Sequence, residues 1–207
     1  RLKRASSGAA HILVGTQMLA KGHHFPGVTL VGILDADSGL FSTDFRAPER
    51  LAQLIVQVAG RAGRAERAGT VYIQTHQPEH PLLRMLIAGS YAHFAGEVLR
   101  EREAAQFPPF AALALVRAEA NQRQACVDFL AAVAERARAL GTQVMALGPV
   151  PAPMERRQGR FREQLLLQAS ERTHLHLLLD QLAPELEAMP QGRRTRWSLD
   201  VDPQDLT

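Results

Sequence analysis

Residues 57–64 have the sequence Gln57-Val58-Ala59-Gly60-Arg61-Ala62-Gly63-Arg64, which combines a helix end with two arginines at fixed spacing. Apolar runs lie on both sides of it, over residues 28–34 and 71–74, and each is typical of a buried strand. Pro48 suits the first turn of the intervening helix, and glycine favours the end of that helix near residue 60. Strand, helix and strand in this order predict a βαβ unit of a parallel sheet.

The same pattern extends towards the start of the chain, where Ile12-Leu13-Val14 predicts a third strand. Three strands are few for an open α/β sheet, so we expect further strands upstream of residue 1. Residues 1–77 are therefore predicted to be the C-terminal part of a larger α/β domain.

A different pattern occupies the rest of the chain. Residues 78–109 predict a helical connector that ends at Pro108-Pro109, and residues 110–207 predict a β-α-β-β-α-β domain. This order of elements is that of the split βαβ, ferredoxin-like arrangement. The strands are expected near 111–119, 143–149, 160–168 and 195–201, and the helices near 122–140 and 171–189.

The two helices of this second domain each carry one apolar stripe at helical spacing. Asn121 and Ser170 are expected to cap them, and Pro184 is expected to kink or break the second helix. Cys126 is the only cysteine and lies on the first stripe, so we expect it in the core. The stripes consist of Cys126, Phe129, Leu130, Val133, Ala137 and Leu140, and of Leu175, Leu178, Leu179, Leu182, Leu186 and Met189.

The helix end at residues 57–64 carries the strongest chemical signal. Its glycines leave the backbone free to approach a ligand, and the guanidiniums of Arg61 and Arg64 suit polyphosphate because each can bond two oxygens at once. The alternative is a basic last turn that complements the helix dipole. Two arginines, two glycines and Gln57 in one register favour a nucleotide-phosphate site.

A second block, residues 15–26, follows the predicted strand at 12–14. A strand that ends in Gly15-Thr16 and turns into a helix presents free N–H groups and a hydroxyl, which suit a phosphate group. The alternative is an ordinary βα turn with Gly22 and Pro26 as breakers. Its position about forty residues before the arginine pair favours a phosphate-binding role.

The sequence gives little support for a metal site. A single cysteine excludes a disulfide framework and a CxxC zinc site within these residues. His23 and His24 are neighbours that diverge on an extended backbone, so we do not expect them to bind a metal together. Asp35 and Asp37 end a predicted strand, but without a phosphate loop beside them we expect hydrogen-bonding roles.

Composition and charge leave several functions open. The 207 residues have a formal net charge of +3 and a pI near 9.6, which permits nucleic-acid binding without requiring it. No apolar run is long enough to cross a membrane. The start Arg1-Leu2-Lys3-Arg4 is not signal-like, and we expect a cytoplasmic fragment of a longer protein. No G-x-x-x-x-G-K-[ST] loop and no DExH-like acidic box occurs, so the chain alone is expected to be inactive as an ATPase.

Arginines also cluster twice in the second domain. Basic residues interleaved with aromatics can bind phosphates and stack on exposed bases. The alternative is a solvated hairpin tip with no ligand. The first cluster is Arg156, Arg157, Arg160 and Arg162 around Gly159 and Phe161, and the second is Arg193, Arg194 and Arg196 before Trp197.

Several segments together resemble one family. GTQMLAKGHHFP at 15–26, LDADSGLFSTDFRAPER at 34–50 and QVAGRAGR at 57–64 resemble the fifth and sixth motifs of superfamily 2 helicases. The sequences of these three segments are similar to those of the primosomal protein N′ family of bacterial replication-restart DNA helicases. HQPEHPLL at 76–83, LGPVPAP at 147–153 and LDVDP at 199–203 extend the resemblance along nearly the whole chain. Many superfamily members carry an acid where His24 stands, whereas the paired histidines are typical of this family.

The resemblance implies a RecA-like second helicase lobe for residues 1–77, with ATP bound between it and a first lobe outside this sequence. By analogy, Arg64 is the arginine finger of phosphoryl transfer, Arg61 is its partner on the phosphates, and Gln57 is a polar contact near the γ-phosphate. The residues expected to sense the nucleotide are Gly22, His24, Gly60 and Gly63. Those expected to contact DNA are Thr16, Gln17, Lys21, Arg156, Arg157, Arg160 and Arg162.

Cofactors and partners of the whole protein also follow from the resemblance. It implies ATP and Mg²⁺ bound mainly by the first lobe, and Zn²⁺ bound by a cysteine cluster upstream. The expected substrate is branched and single-stranded DNA, with 3′-to-5′ unwinding at stalled forks. Other primosome proteins and single-stranded DNA-binding protein are expected partners, and Arg172 is a candidate contact for the acidic tail of the latter.

Two other classes of protein fit part of the sequence. A superfamily 2 translocase of the branched-junction recombination type shares the Q-x-x-G-R-x-G-R pattern but lacks the second domain that ends in LDVDP. A non-enzymatic nucleic-acid-binding adaptor with vestigial helicase motifs would lack a phosphate loop and a cysteine cluster upstream.

Overall fold

The structure, a computed structural model, describes residues 12–15, 28–60, 69–141 and 143–206. The described residues form two compact units, each with its own apolar core. The first unit contains the residues before Thr43 together with Arg46–Val98, and the second contains Thr43–Phe45 and the chain from Leu99 onward. None of the helices in these ranges combines the length and the apolar composition needed to cross a bilayer.

The first unit contains a two-stranded parallel sheet. Its strands, β1 (Leu30–Ile33) and β2 (Thr70–Ile73), pair along their whole length. A short helix α1 (Asp37–Leu40) and the longer α2 (Ala47–Ala59) lie between the two strands in the chain. Parallel strands joined through α2 confirm the βαβ unit that the sequence predicts.

Helix α2 begins and ends where the sequence predicts. Pro48 lies in its first turn and Gly60 is its C-cap. Gly60 has right-handed backbone angles (φ −69°, ψ −6°), so the helix ends without the left-handed conformation for which glycine is usually needed. The buried residues of α2 recur at helical spacing, and they are Ala47, Leu51, Ala52, Ile55 and Val58.

Two strand predictions in this unit are wrong. Residues 12–15 form no strand, and the side chains of Ile12 and Val14 are 82% and 88% exposed. An apolar run becomes a strand only where another strand bonds to it, and no segment in the described ranges pairs with this one. β1 is also shorter than the predicted run 28–34, and only Ile33 of its residues is buried, since β2 is its only neighbour in these ranges.

The segment predicted as a connector, residues 78–109, contains α3 (Pro81–Ile87) and α4 (Tyr91–Ala104). All of α3 and the first half of α4 contribute side chains to the core of the first unit, and these are Leu82, Leu83, Leu86, Phe94 and Val98. The division between the two units therefore falls within α4, after Val98.

The second unit has the predicted β-α-β-β-α-β order of elements. Its four strands form one antiparallel sheet in the order β4-β5-β3-β6. The strands are β3 (Ala112–Ala120), β4 (Met145–Arg157), β5 (Arg160–Ala169) and β6 (Arg196–Val201). The helices are α5 (Arg123–Leu140) and α6 (Arg172–Ala188), and a 3₁₀ helix (Pro190–Arg194) precedes β6.

Both helices of the second unit pack against one face of this sheet. Every second residue of β3, from Ala112 to Ala120, lies in one core cluster with the apolar stripes of α5 and α6. Cys126 is fully buried in this cluster, as predicted. Burial of a large aliphatic or aromatic side chain contributes about 1.5–3 kcal/mol, so the two stripes hold the helices on the sheet.

The predicted helix caps are wrong. α5 and α6 begin after Gln122 and Glu171, one residue later than expected, and neither residue forms a side-chain capping hydrogen bond. Asn121 and Ser170 therefore lie one position too early to bond the first free N–H groups of these helices.

The sequence predicts that Pro184 kinks or breaks α6, but no break occurs there. The proline lies inside the helix, which continues to Ala188. Leu182 and Leu186, on either side of the proline, are both fully buried in the same core. This shared burial offsets the hydrogen bond that proline removes from the helix.

Candidate functional site

Most of the residues predicted to bind nucleotide or DNA in the first unit lie outside the described ranges. These are Thr16, Gln17, Lys21, Gly22, His24, Arg61, Gly63 and Arg64. The described part of the predicted nucleotide site is therefore the end of α2, where Gln57 and Gly60 lie.

Gln57 lies in the last turn of α2, outside the buried stripe, and is partly exposed. The Gly60 N–H donates to the carbonyl oxygen of Val56 at 3.0 Å, so α2 is hydrogen-bonded up to the residue before Arg61. A Cβ at residue 60 would lie 3.4 Å from that oxygen, which is ordinary contact. Neither the backbone angles nor the packing of the described residues requires glycine at position 60, and its role in letting a ligand approach the backbone stays a prediction.

The carboxyl ends of β1 and β2 are joined by Asp37. Its carboxylate accepts hydrogen bonds from the Thr75 hydroxyl and from the His76 N–H, the latter at 2.8 Å, and lies 2.7 Å from Nδ1 of His76. The hydrogen-bonding role expected for Asp37 is therefore confirmed. Its partners could not be predicted, because they lie 38 and 39 residues away and only the parallel register of the strands brings them together.

Asp37 is predicted to titrate at an unusually low pH. The hydroxyl of Thr75 and then the N–H and ring of His76 lower the pKa of Asp37 from 3.8 to about 2, because they stabilise the charged carboxylate. The stability that these bonds provide is therefore fully present above pH 3.8 and is lost as the pH falls through about 2. Carboxyl NMR titration of Asp37 measures this directly.

Thr75→Val is the matched control for that titration. It removes the largest cause of the shift, so the midpoint for Asp37 is expected to move upward towards 3.8. A midpoint of 3.8 in the unmodified chain would show that these hydrogen bonds are not formed in solution.

The hairpin between β4 and β5 carries the four arginines predicted to bind DNA. Gln158 and Gly159 form its turn with φ angles of 51° and 82°. Arg157 and Arg160 pair across the hairpin, and both are exposed. Neither of these two guanidiniums has an ion-pair partner among the residues that the structure describes, so both are open to a ligand.

The other two arginines of the hairpin have internal contacts. Arg156 Cζ lies 5.1 Å from the centroid of the Phe161 ring. Arg162 Nε lies 3.2 Å from a carboxylate oxygen of Glu119, and its Nη1 donates to the carbonyl of Met154. Of the four predicted residues, the structure therefore leaves Arg157 and Arg160 as the better phosphate contacts.

The aromatic rings near the two arginine clusters already have partners within the second unit. One face of Phe161 is covered by Arg156. Trp197 stacks on the buried ring of Phe129, with centroids 6.0 Å apart, and packs against the core of the second unit. A base that stacked on the covered face of either ring would therefore have to displace these contacts.

Arg172 lies at the first position of α6. Its Nη1 is 2.8 Å from a carboxylate oxygen of Asp202, and both side chains are well exposed. A carboxylate from a partner would compete with Asp202 for this guanidinium. Exposed ion pairs contribute little, so such an exchange costs under about 1 kcal/mol.

Comparison with known proteins identifies the family. The model of the helicase conserved C-terminal domain matches residues 1–66, and that of the primosomal protein N C-terminal domain matches residues 103–204. The replication restart protein PriA of Haemophilus influenzae is 49% identical over 208 residues, covering 100% of this chain. This chain belongs to the PriA family. The two family matches correspond to the two chemically distinct regions of the sequence.

Other PriA proteins show the same relationship at lower identity. The replication restart protein PriA of Bacillus subtilis is 35% identical over 98% of this chain, and that of Synechocystis is 40% identical over 80% of it. The chain spans 28%, 25% and 20% of the length of the Haemophilus, Bacillus and Synechocystis relatives. Most of the length of each PriA relative therefore has no counterpart in the present sequence.

Proposed function

We propose that the protein containing this chain is an ATP-dependent DNA helicase that recognises stalled or branched replication forks and restarts replication through primosome assembly. The observation that carries the proposal is the succession of a helicase C-terminal domain and a primosomal protein N C-terminal domain in one chain. The match to the primosomal protein N C-terminal domain also favours this function over a recombination-type translocase, which lacks that domain. We infer 3′-to-5′ unwinding in the bacterial cytoplasm from the family.

The first unit acts in this proposal as part of a RecA-like second lobe. A parallel pair of strands with α2 between them supports that fold. Arg64 supplies the arginine finger, Arg61 contacts the phosphates, and Gln57 lies near the γ-phosphate. The end of α2 supports this assignment because Arg61 directly follows Gly60, the C-cap of the helix. Gly22, His24 and Gly63 respond to the nucleotide, and Thr16, Gln17 and Lys21 contact DNA.

The second unit acts as a ferredoxin-like DNA-recognition domain. The strand order β4-β5-β3-β6, with both helices on one face, supports that fold. Of the four hairpin arginines, Arg157 and Arg160 contact DNA, whereas Arg156 and Arg162 make the internal contacts described above. Arg172 receives the acidic tail of single-stranded DNA-binding protein. The remaining partners are branched and single-stranded DNA and other primosome proteins.

ATP supplies the energy for unwinding when it is bound between the two lobes. This chain's contribution is to neutralise phosphate charge, which arginines at a helix end suit chemically. No three His, Cys, Asp or Glu side chains within the described ranges are placed to hold a metal ion. We assign Mg²⁺ mainly to the first lobe and Zn²⁺ to an upstream cysteine cluster on the basis of the family resemblance.

The proposed function is tested by comparing ATP hydrolysis by the full-length protein and by this chain alone. The full-length protein is expected to hydrolyse ATP when forked DNA is added and to unwind the fork. The chain alone is expected to show no turnover, because it has no phosphate-binding loop. Turnover by the chain alone would refute the division of the site between two lobes. No hydrolysis by the full-length protein would refute the helicase assignment and support the adaptor alternative.

A further inference from the structure

The two arginine clusters of the second unit lie far apart in sequence but at the same end of the sheet. β4 ends at Arg157, β5 begins at Arg160 and β6 begins at Arg196. Glu119, near the end of β3, is opposite Arg162 on one side and Arg196 on the other. The hairpin and the segment 193–196 therefore flank the same end of β3.

We define the arginine rim as five exposed arginines at this end of the sheet, Arg157, Arg160, Arg193, Arg194 and Arg196. The first two form its hairpin arm, and the last three form its second arm. Arg123 and Arg156 are also exposed here, but they are left out because they contact Glu163 and Phe161. None of the five rim arginines has an ion-pair partner within the described ranges. Thr195, inside the second arm, is buried and donates a hydrogen bond to the carbonyl of Ala125 in α5, which fixes the arm against the core.

Positive charge is concentrated at this end of the sheet. Residues 119–123, 155–163 and 193–196 carry eight arginines and three glutamates, whereas the whole chain has a net charge of only +3. Glu119 and Glu163 are paired with arginines outside the rim, Arg162 and Arg123. Glu155, the third of these glutamates, is exposed and forms no ion pair within the described ranges. The segments around the rim therefore keep an excess of positive charge, and a polyanion is the ligand that this surface fits.

The geometry favours duplex DNA over single-stranded DNA. Sequence-tolerant binding of single strands depends on aromatic rings that stack on bases, and Phe161 and Trp197 already have ring or guanidinium partners. The two arms are separated by β3, which places β5 and β6 about 10 Å apart. This spacing is comparable to the major-groove width of about 12 Å, so guanidiniums on the two arms can reach phosphates on both sides of a groove.

We propose that the arginine rim binds the phosphate backbone of duplex DNA, with its two arms contacting phosphates on the two sides of one groove. The proposal rests on the proposed function, for which it names the duplex arm of a fork as the ligand of this surface. Contacts to phosphate position the protein without reading base sequence. Binding is therefore expected to be independent of sequence and strongly dependent on salt.

The test is fluorescence anisotropy with this chain and a labelled duplex of about 20 base pairs, at salt concentrations from about 50 to 200 mM. Arg157→Gln/Arg160→Gln removes the hairpin arm, and Arg193→Gln/Arg194→Gln removes most of the second arm. Each double variant is expected to weaken duplex binding about tenfold or more and to reduce the salt slope by about 2. The four substitutions together are expected to weaken it by about the product of the two effects.

The matched control is Arg136→Gln/Arg138→Gln, which removes the same charge from the second unit away from the rim. Both arginines lie in the C-terminal part of α5, whose first residue is at the rim end. This control is expected to change duplex affinity less than threefold or so. Equal losses in the control and the rim variants would show a general charge effect and overturn the proposal. Circular dichroism of each variant checks that the fold is retained.

Two further ligands distinguish the alternatives. In the rim variants, the affinity for a labelled single strand of the same length is expected to fall less than the affinity for the duplex. Equal losses for the two ligands would overturn the assignment to duplex DNA. A polyglutamate peptide is expected to bind weakly, and tighter binding than the duplex would identify an acidic protein segment as the ligand instead. These measurements contain no ATP, so loss of hydrolysis in the full-length protein with intact rim binding would contradict only the proposed function.

Discussion

Arg64→Ala in the full-length protein is expected to reduce the rate of DNA-stimulated ATP hydrolysis by about a thousandfold or more. The reason is that an arginine finger acts on charge that develops in the transition state, where a planar guanidinium can bond two phosphate oxygens. DNA affinity without nucleotide is expected to stay nearly unchanged, because this guanidinium is assigned to the phosphates of ATP. Steady-state hydrolysis and equilibrium DNA binding of the same preparation measure the two effects.

Two controls make the test of Arg64 specific. Arg64→Lys keeps the charge but not the fork of donors, so it is expected to remain severely impaired. Arg67→Ala removes an arginine three residues further along, outside the Q-x-x-G-R-x-G-R pattern, and is expected to retain hydrolysis. Equal losses of hydrolysis and DNA affinity in Arg64→Ala would indicate a structural role for Arg64 and contradict the finger assignment.

Phe129→Ala is expected to destabilise the second unit by about 3–5 kcal/mol, the range typical of large-to-small changes in a core. Phe129 is fully buried, stacks on Trp197, and has its Cε2 within 3.4 Å of the position that a Cβ of residue 192 would take. Removing the ring therefore leaves a cavity between α5, the 3₁₀ helix and β6. Urea unfolding followed by the fluorescence of Trp197, the only tryptophan of the chain, measures the loss.

Leu177→Ala is the matched control for Phe129→Ala. It also shortens an apolar side chain on a helix of the second unit, but Leu177 is 57% exposed. Its effect on the free energy of unfolding is expected to stay within about 0.5 kcal/mol. A cost below about 1 kcal/mol for Phe129→Ala would contradict the packing of α5 described above.

Helices were the part of the fold that could be predicted best. The stripes of α5 and α6 predicted both their boundaries to within one residue and their buried faces, and Pro48 and Gly60 predicted the ends of α2. Helical hydrogen bonds close within four residues, so the information that decides a helix is local. Where the prediction failed, at Pro184, the cost of a local defect was offset by core contacts that the local sequence does not show.

Strand predictions depended on partners outside the local sequence. Residues 12–15 have the composition of a strand, yet they pair with no described segment. In the candidate site, the bonds of Asp37 to Thr75 and His76 depend on the parallel register of β1 and β2. A carboxylate 38 residues from its partner has no sequence signal that could reveal the pairing.

The sequence by itself determined the kinds of chemistry available to this protein, through the arginine pair at 61 and 64 and the two basic clusters of the second domain. Only the tertiary structure decided which of those arginines share a surface and which aromatic rings are already occupied. The physical reason is that guanidinium chemistry is a property of a residue, whereas proximity is set by strand register. The antiparallel pairing of β5, β3 and β6 brings residues 157 and 196 to one end of a sheet.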